Sequence, residues 1–245
     1  QTLRIVMFIE NKYVRFKGLN LTLETLDGLL KHNGPYYDDR DVENLIGLKN
    51  LKNKINLESY PSIEAQIASI SDDIAYNNHD IQDGFNANFF KVDELKEINF
   101  FNDILKRYSS KFKKSNSRIL IYQMVRDSIN LMVKDLIRNS LENIKLNKIN
   151  SLNDVYKSEN KLVCFSSNYE NIINEIRDFL SFKMYKNNKV LKKNNEGRRI
   201  IEKLFKEISS KPRKFLTFTP IKHNKYRSVA DYISGMTDRF AINIY

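Results

Sequence analysis

Carboxylates and one phenol follow each other at helical spacing in the middle of the chain. Asp72, Tyr76, Asp80 and Asp83 are separated by four, four and three residues. At about 100° per residue, these side chains fall within about 80° of one helix face. Ala68 and Tyr76 occupy the positions four residues from Asp72, so no lysine or arginine there neutralises its charge. A carboxylate row whose first member lacks a basic neighbour on the helix interacts with solvent, a metal ion or a substrate, and the pattern alone leaves all three open.

The segment that carries this row also has an apolar face. Its isoleucines lie within about 60° of each other on the opposite side of a helical wheel. They are Ile63, Ile67, Ile70, Ile74 and Ile81. The pattern predicts one long helix over residues 62–84, with the isoleucines buried and the carboxylates exposed.

Three separated blocks, together with the first residues, carry a resemblance to a known family. Ser62–Gly84 contains Ser-Asp-Asp-Ile-Ala-Tyr followed by His-Asp-Ile-Gln-Asp-Gly. Gly18–Pro35 ends in His-Asn-Gly-Pro, Asp231–Ala241 forms the third block, and Gln1–Val6 matches as well. In this order and spacing, the chain resembles the dGTPase-like deoxynucleoside triphosphate triphosphohydrolases of the HD-domain phosphohydrolase superfamily. The resemblance covers most of the chain.

The resemblance implies roles for three residues of the carboxylate row. Asp72 matches the family's distant aspartate, which ligates one divalent metal ion such as Mg²⁺ or Mn²⁺. Tyr76 matches a tyrosine that approaches the sugar and phosphates of the substrate, and Asp80 matches an aspartate at the sugar 3′-hydroxyl. The substrate is then a deoxynucleoside triphosphate, and the products are a deoxynucleoside and tripolyphosphate. The resemblance also implies a homo-oligomer.

The family's remaining site motifs are not matched in this sequence. Its first histidine, its His-Asp pair and the catalytic histidine after that pair all precede the segment matched by Gln1–Val6. His79-Asp80 belongs to the downstream motif, and we expect His32 to be a helix-end residue rather than a ligand. We therefore expect an amino-terminally truncated chain that holds the metal ion only with an upstream segment and is inactive alone. A non-enzymatic remnant is the alternative.

Composition predicts the fold class. Seven glycines and four prolines in 245 residues, 41% of them hydrophobic, favour helices over a loop-rich sandwich or a glycine-rich nucleotide-binding fold. We expect an all-α chain: the carboxy-terminal portion of an HD-type helical domain within residues 1–150, and further carboxy-terminal helices within 151–245. The single Cys164 and the lack of a signal peptide or an apolar run predict a cytoplasmic protein without a membrane span.

The remaining predicted elements are also helical, apart from one short run. Residues 162–165 are apolar and predict either a strand or a loop. The predicted helices cover about residues 2–17, 20–31, 91–109, 116–146, 168–187, 195–209 and 227–241. Within 116–146 the predicted core stripe is Ile119, Tyr122, Val125, Ile129, Met132, Val133 and Leu136.

Charge is distributed unevenly along the chain. Residues 1–110 hold 13 Lys and Arg against 17 Asp and Glu, so the remaining residues carry more than the whole formal charge of +11. A basic half serves a phosphate-bearing ligand or nucleic acid, or is simply a solvated surface. Arg126 is a candidate phosphate contact. A helical module that binds nucleic acid, single-stranded in particular, is a second alternative function, although the basic residues look dispersed and not interleaved with aromatic ones.

Overall fold

The computed structural model describes residues 2–37, 55–108, 117–216 and 224–245. Every regular element in these ranges is helical, which confirms the predicted all-α class. The chain forms two compact units, Gln1–Met184 and Tyr185–Tyr245. The predicted domain boundary near residue 150 stays a prediction, since compactness does not define it. None of the described helices is both long and apolar enough to cross a membrane.

The first helix is shorter than predicted. Helix α1 (Thr2–Arg4) runs into a π-helical turn, Ile5–Ile9, and the helical structure ends there and not near residue 17. The chain then folds back, so that the Leu19 N–H donates to the Val6 carbonyl. Gly18 makes this possible, because its φ is +65° and a Cβ there would lie 2.4 Å from the Met7 backbone.

Two capped helices follow and carry the site. Helix α2 (Leu23–Leu30) begins at Thr22, whose side chain accepts from the Thr25 N–H. Helix α3 (Ile63–Asn86) begins at Ser62, whose side chain accepts from the Ala65 N–H. Both starts follow the usual capping rule, in which a hydroxyl satisfies a free amide of the first turn.

The core of the first unit forms where α3 packs against later helices. These are α4 (Val92–Leu95), α5 (Asn99–Lys106), α6 (Ser117–Leu146) and α8 (Ser167–Leu180), which continues as a π-helical turn, Ser181–Tyr185. The short helix α7 (Leu152–Lys157) lies between α6 and α8 in the chain. Helix α6 lies against α3 and α5, and α8 lies against α3. The α3 isoleucines at 70, 74 and 81 are buried as predicted, but Ile67 is exposed.

Residues 162–165 do not form a strand with any described segment. Side chains, and not a neighbouring strand, form hydrogen bonds with their backbone groups. The buried Gln66 carboxamide oxygen accepts from the backbone N–H groups of Leu162 and Val163, at 3.0 and 3.1 Å. Asn143 donates to the Leu162 carbonyl at 3.1 Å. Buried backbone groups need such partners, because an unpaired one costs about 1–3 kcal/mol. The segment is therefore an ordered loop fixed to α3 and α6.

The second unit is smaller. It contains α9 (Asn188–Ser210), α10 (Pro212–Phe215), α11 (Lys225–Ser234) and α12 (Asp238–Ile244). Its core joins α9 to the last two helices through residues such as Leu204, Ile208 and Val229. The predicted single helix over 227–241 is wrong, because Gly235 ends α11 and the Thr237 side chain caps α12.

Candidate functional site

The predicted carboxylate row lies on the solvent side of α3. The Asp72 side chain is 58% exposed and Tyr76 is 65% exposed, whereas Asp80 is half-buried. Asn77 and Asn78, the next two residues after Tyr76 in sequence, point away from this row and are buried in the core. The carboxylates therefore lie on the solvent side as predicted, but the buried face includes these two asparagines and leaves Ile67 exposed. The metal-binding and substrate-binding roles of these residues remain predictions.

The two adjacent aspartates differ in their partners. Asp73 forms an ion pair with Arg177 of α8, and the two charged groups are 3.1 Å apart. Asp72 has no lysine or arginine partner among the described residues, and the His32 Nε2 lies 3.8 Å from its Oδ2. A carboxylate without a cationic partner keeps its full negative charge available to a ligand. Asp72 is thus the better placed of the pair to bind a cation.

The docking of α2 on α3 explains why His32 lies beside Asp72. Gly28 sits directly against Ala65, since a Cβ on Gly28 would lie 2.7 Å from the Ala65 Cβ. Past the end of α2, the Ser69 hydroxyl donates to the His32 carbonyl at 2.5 Å. These two contacts hold the end of α2 against α3. The His32 ring therefore lies next to α3, one helical turn beyond Ser69. Sequence reasoning placed His32 correctly at a helix end but missed this proximity.

We expect that replacing Gly28 with alanine lowers the thermal unfolding midpoint. The added methyl group must displace Ala65, and such overpacking costs about 1–3 kcal/mol, more than the helix propensity gained, which is about 1 kcal/mol. Gly197 is the matched control, because a Cβ there meets nothing within 4 Å. Gly197→Ala should raise stability by about 0.5–1 kcal/mol. Equal stabilisation by both substitutions would show that the α2–α3 contact is not tight.

Two clefts open on either side of His32. One, of about 270 Å³, is lined by polar groups that include Asn33, Ser69, Asp73 and Lys161. The other, of about 590 Å³, runs between α2 and α3 past Gly28 and Ala68 to Tyr156. Hydroxyl, amide and ammonium groups in the first cleft can donate to an anion, whereas its Asp73 carboxylate opposes one, and the small residues of the second cleft leave open space.

Lys31, the residue before His32, forms a buried ion pair with Asp27. The Lys31 Nζ is 2.7 Å from the Asp27 Oδ1, and it donates to the Ser59 hydroxyl at 3.1 Å. Burial raises the pKa of the Asp27 carboxyl, while the hydrogen bond and positive charge of Lys31 act in the opposite direction. Both side chains are buried at the edge of a cavity of about 200 Å³, and we interpret the pair as anchoring the end of α2.

Arg126 lies on α6, away from the carboxylate row in sequence. Its guanidinium is exposed and donates to the Gln123 carboxamide oxygen at 2.8 Å. Gln123 in turn donates to Asp127, which accepts a 2.5 Å hydrogen bond from the Tyr108 hydroxyl. That bond raises the pKa of the Tyr108 phenol. Arg126 is therefore an exposed cation at the edge of a polar network, and its phosphate contact stays a prediction.

The capacity of the described residues to hold a metal ion is limited. Within those ranges, no three His, Cys, Asp or Glu side chains are grouped closely enough to bind one. Asp72 and His32 together offer one carboxylate and one imidazole. These are acceptable ligand types for a divalent ion, but catalytic sites use three or more protein ligands.

Comparisons with known proteins agree with the motifs. Residues 163–245 match the phosphohydrolase-associated domain. The chain is 60% identical over 244 residues to the deoxyguanosinetriphosphate triphosphohydrolase-like protein of Pelagibacter ubique, covering all of this chain and 66% of that protein. It is 36% identical to the proteins of the same name from Rickettsia typhi and Bartonella henselae, over 251 and 258 residues. Those alignments cover this whole chain and 65% and 64% of the relatives. The chain spans slightly less than two thirds of the length of these relatives, and over that part it is similar to deoxyguanosinetriphosphate triphosphohydrolase-like proteins.

Proposed function

We propose that this chain supplies the carboxy-terminal part of a metal-dependent deoxynucleoside triphosphate triphosphohydrolase. The observation that carries the proposal is the flank of α3. There Asp72, which has no lysine or arginine partner among the described residues, is followed at one-turn intervals by Tyr76 and Asp80. A row of this kind on a chain 60% identical to a dGTPase-like protein fits a site for a metal-bound nucleotide.

Each residue of the row has a distinct proposed role. The exposed Asp72 carboxylate is a ligand of the divalent ion, Mg²⁺ or Mn²⁺. The exposed ring of Tyr76 packs against the sugar, and its hydroxyl is available to phosphate oxygens. The carboxylate of Asp80 accepts a hydrogen bond from the sugar 3′-hydroxyl and orients the nucleotide along the helix.

The residues of this chain supply only part of the ligand set that a divalent ion needs. Asp72 is an exposed hard oxygen ligand of the kind that Mg²⁺ and Mn²⁺ prefer. A bound divalent ion supplies Lewis acidity and lowers the pKa of a coordinated water. We propose that the ligands beyond Asp72 lie in the third of the family protein that this sequence does not span.

The proposed reaction is hydrolysis at the α-phosphate. Water adds to the α-phosphorus and the bond from that phosphorus to the sugar O5′ breaks. The leaving oxygen takes up a proton, so that the products are a deoxynucleoside and tripolyphosphate. Cationic side chains stabilise the charge that develops on the phosphate oxygens, and Arg126 and Lys161 are the candidates for this role. Assembly as a homo-oligomer, implied by the family resemblance, also remains a proposal.

The test compares the chain alone with a completed protein. We expect no tripolyphosphate release from deoxynucleoside triphosphates by this chain, because a single carboxylate binds a hydrated divalent ion weakly. Fusing it to the unmatched third of the Pelagibacter ubique relative should give turnover with tripolyphosphate as product. Turnover by the chain alone would contradict the assignment of Asp72 as one ligand among several. A folded but inactive fusion that binds no Mn²⁺ would favour the non-enzymatic remnant.

A further inference from the structure

The solvent-facing side of α6 carries an apolar strip that the proposed hydrolysis does not use. It consists of Val133, Ile137, Leu141 and Ile144, which follow one another at intervals of four, four and three residues. At about 100° per residue, these side chains fall within about 80° of one helix face. Val133, Ile137 and Leu141 are 37%, 54% and 62% exposed, and Ile144 is partly buried. Single exposed apolar residues are ordinary, but four in line over about three turns indicate a surface that another protein segment covers.

The α6 apolar strip is separate from the face of α6 that packs into the core. The buried residues of the helix include Met124, Met132 and Leu136, and their face is centred about 150° around the helix from the strip. The strip also continues past Ser140, which is the last buried residue of the helix. Covering the strip therefore takes a segment that packs on the outer side of α6, because a small rotation of the helix would leave it exposed.

Positive charge borders the α6 apolar strip along one side. Lys134, Lys145 and Arg138 lie about 60°, 80° and 100° around the helix from the centre of the strip, all in the same direction. We call these three residues the basic border. Both lysines are exposed, and the Arg138 side chain stays 66% exposed although it pairs with Asp135. Glu142 is the one exposed acid in the last four turns of the helix, so the border is net positive.

We propose that the α6 apolar strip is the docking surface for an acidic amphipathic helix of a partner protein. The apolar side chains of that helix pack against Ile137, Leu141 and Ile144, whose spacing of i, i+4 and i+7 is typical of the anchors in helix recognition. Its Asp and Glu side chains face the basic border. Charges beside an apolar seam set partner choice and orientation in helix pairs, so the border selects acidic helices.

Charge and area both argue against a second copy of this chain as the occupant. Two copies packed through the strip would bring their basic borders close together, and like charges across an interface oppose association. From residue 133 to residue 144 the strip is about 16 Å long, and a helix is about 10 Å wide, so the footprint is about 160 Å². A stable dimer buries about 800 Å² of each partner, whereas one docked helix fits this footprint. Nucleic acid would use the cations but not the apolar side chains.

The experiment measures, by anisotropy, how tightly the full chain binds a fluorescein-labelled helical peptide of about 20 residues. Its leucines are spaced i, i+4, i+7 and i+11 with glutamates on both sides of them, and a second peptide has lysines in place of the glutamates. We expect the glutamate peptide to bind at least about tenfold more tightly than the lysine peptide. Ile137→Asp should weaken binding of the glutamate peptide at least about tenfold, because a carboxylate replaces an apolar anchor. Lys134→Ala should weaken it about two- to fivefold and reduce its salt dependence.

Leu146 provides the matched control. It is 78% exposed and lies about 180° around the same helix from the strip, so Leu146→Asp should leave binding within about twofold. Thermal unfolding should change little in either aspartate variant, because both side chains are exposed. Equal losses from the two variants, equal binding of the two peptides, or no binding of either would overturn the proposal. So would a dimer in analytical ultracentrifugation that Ile137→Asp dissociates, or loss of peptide binding in the fusion with the Pelagibacter ubique segment. None of these outcomes depends on the proposed hydrolase activity.

Discussion

Replacing Asp72 with alanine in the completed enzyme is expected to reduce turnover by at least about a hundredfold. The substitution removes a proposed metal ligand, and electrostatic stabilisation of this kind contributes factors of about 10²–10³. It should do so without unfolding the protein, because the Asp72 side chain is 58% exposed and its contact with the His32 imidazole is long, at 3.8 Å. Tyr76→Phe should reduce turnover less, since the ring that we propose packs against the sugar remains.

Asp73 offers a control one residue away. Its partner is Arg177, and both side chains are about half-exposed, so the ion pair is worth at most about 1 kcal/mol. Asp73→Ala should therefore leave turnover within about tenfold and Mn²⁺ binding unchanged. Calorimetric titration with Mn²⁺ gives a second readout, in which only Asp72→Ala should lose affinity. If Asp73→Ala were the more damaging of the two, the ligand assignment would be wrong.

The long helix of the site could be predicted almost to its ends from sequence. Ser62 supplies a capping hydroxyl, and the isoleucines repeat at helical spacing, so local rules and tertiary packing favour the same structure. Because the local pattern and the packing agree, the sequence also predicted correctly that Asp72 is exposed and Ile74 is buried. Neither the Gly28–Ala65 contact nor the proximity of His32 to Asp72 could be predicted, because both depend on how two helices cross.

Buried polar residues limited the prediction of the core. Gln66, Asn77 and Asn78 occupy the inner face of α3, although their residue types are usually exposed. Gln66 is buried because two loop amides need its oxygen, and that loop is almost a hundred residues away in sequence. A polar residue whose partner is so distant carries no local signal, so the hydrophobic pattern assigned Ile67 to the core and missed Gln66.

Buried polar residues also explain why the predicted buried face of α6 is only partly correct. Ile119 and Val133 are exposed, whereas Ser128 and Asp135 are buried with Met132. The stripe predicted from the apolar residues alone therefore does not coincide with the buried face of α6. The buried face of α6 includes polar groups that other parts of the unit use as hydrogen-bond acceptors, and Asp135 is the most consequential of them.

Replacing Asp135 with alanine is expected to lower the free energy of unfolding by about 3 kcal/mol. The Asp135 side chain is 2% exposed, and Arg138 donates to its Oδ1 at 2.7 Å. Ser166 donates to it twice, from the backbone N–H and from the hydroxyl, each at 2.9 Å. Ser166 directly precedes α8, so Asp135 fixes the start of that helix against α6. Hydrogen bonds to a charged acceptor are worth about 1.5–3 kcal/mol, and their loss leaves the Ser166 donors without a partner.

Urea unfolding of the full chain measures this loss, with two further variants as comparisons. Asp135→Asn keeps the shape but turns one acceptor oxygen into a donor, so it should cost about 1–2 kcal/mol, less than alanine. Asp103→Ala removes a carboxylate from an exposed pair with Lys106 and should change stability by no more than about 0.5 kcal/mol. Were Asp135→Ala as mild as Asp103→Ala, Asp135 could not be fixing α8. A large loss confined to Asp135 variants would instead show that one buried carboxylate on α6 helps to keep α8, and with it the Arg177 partner of Asp73, in place beside the site.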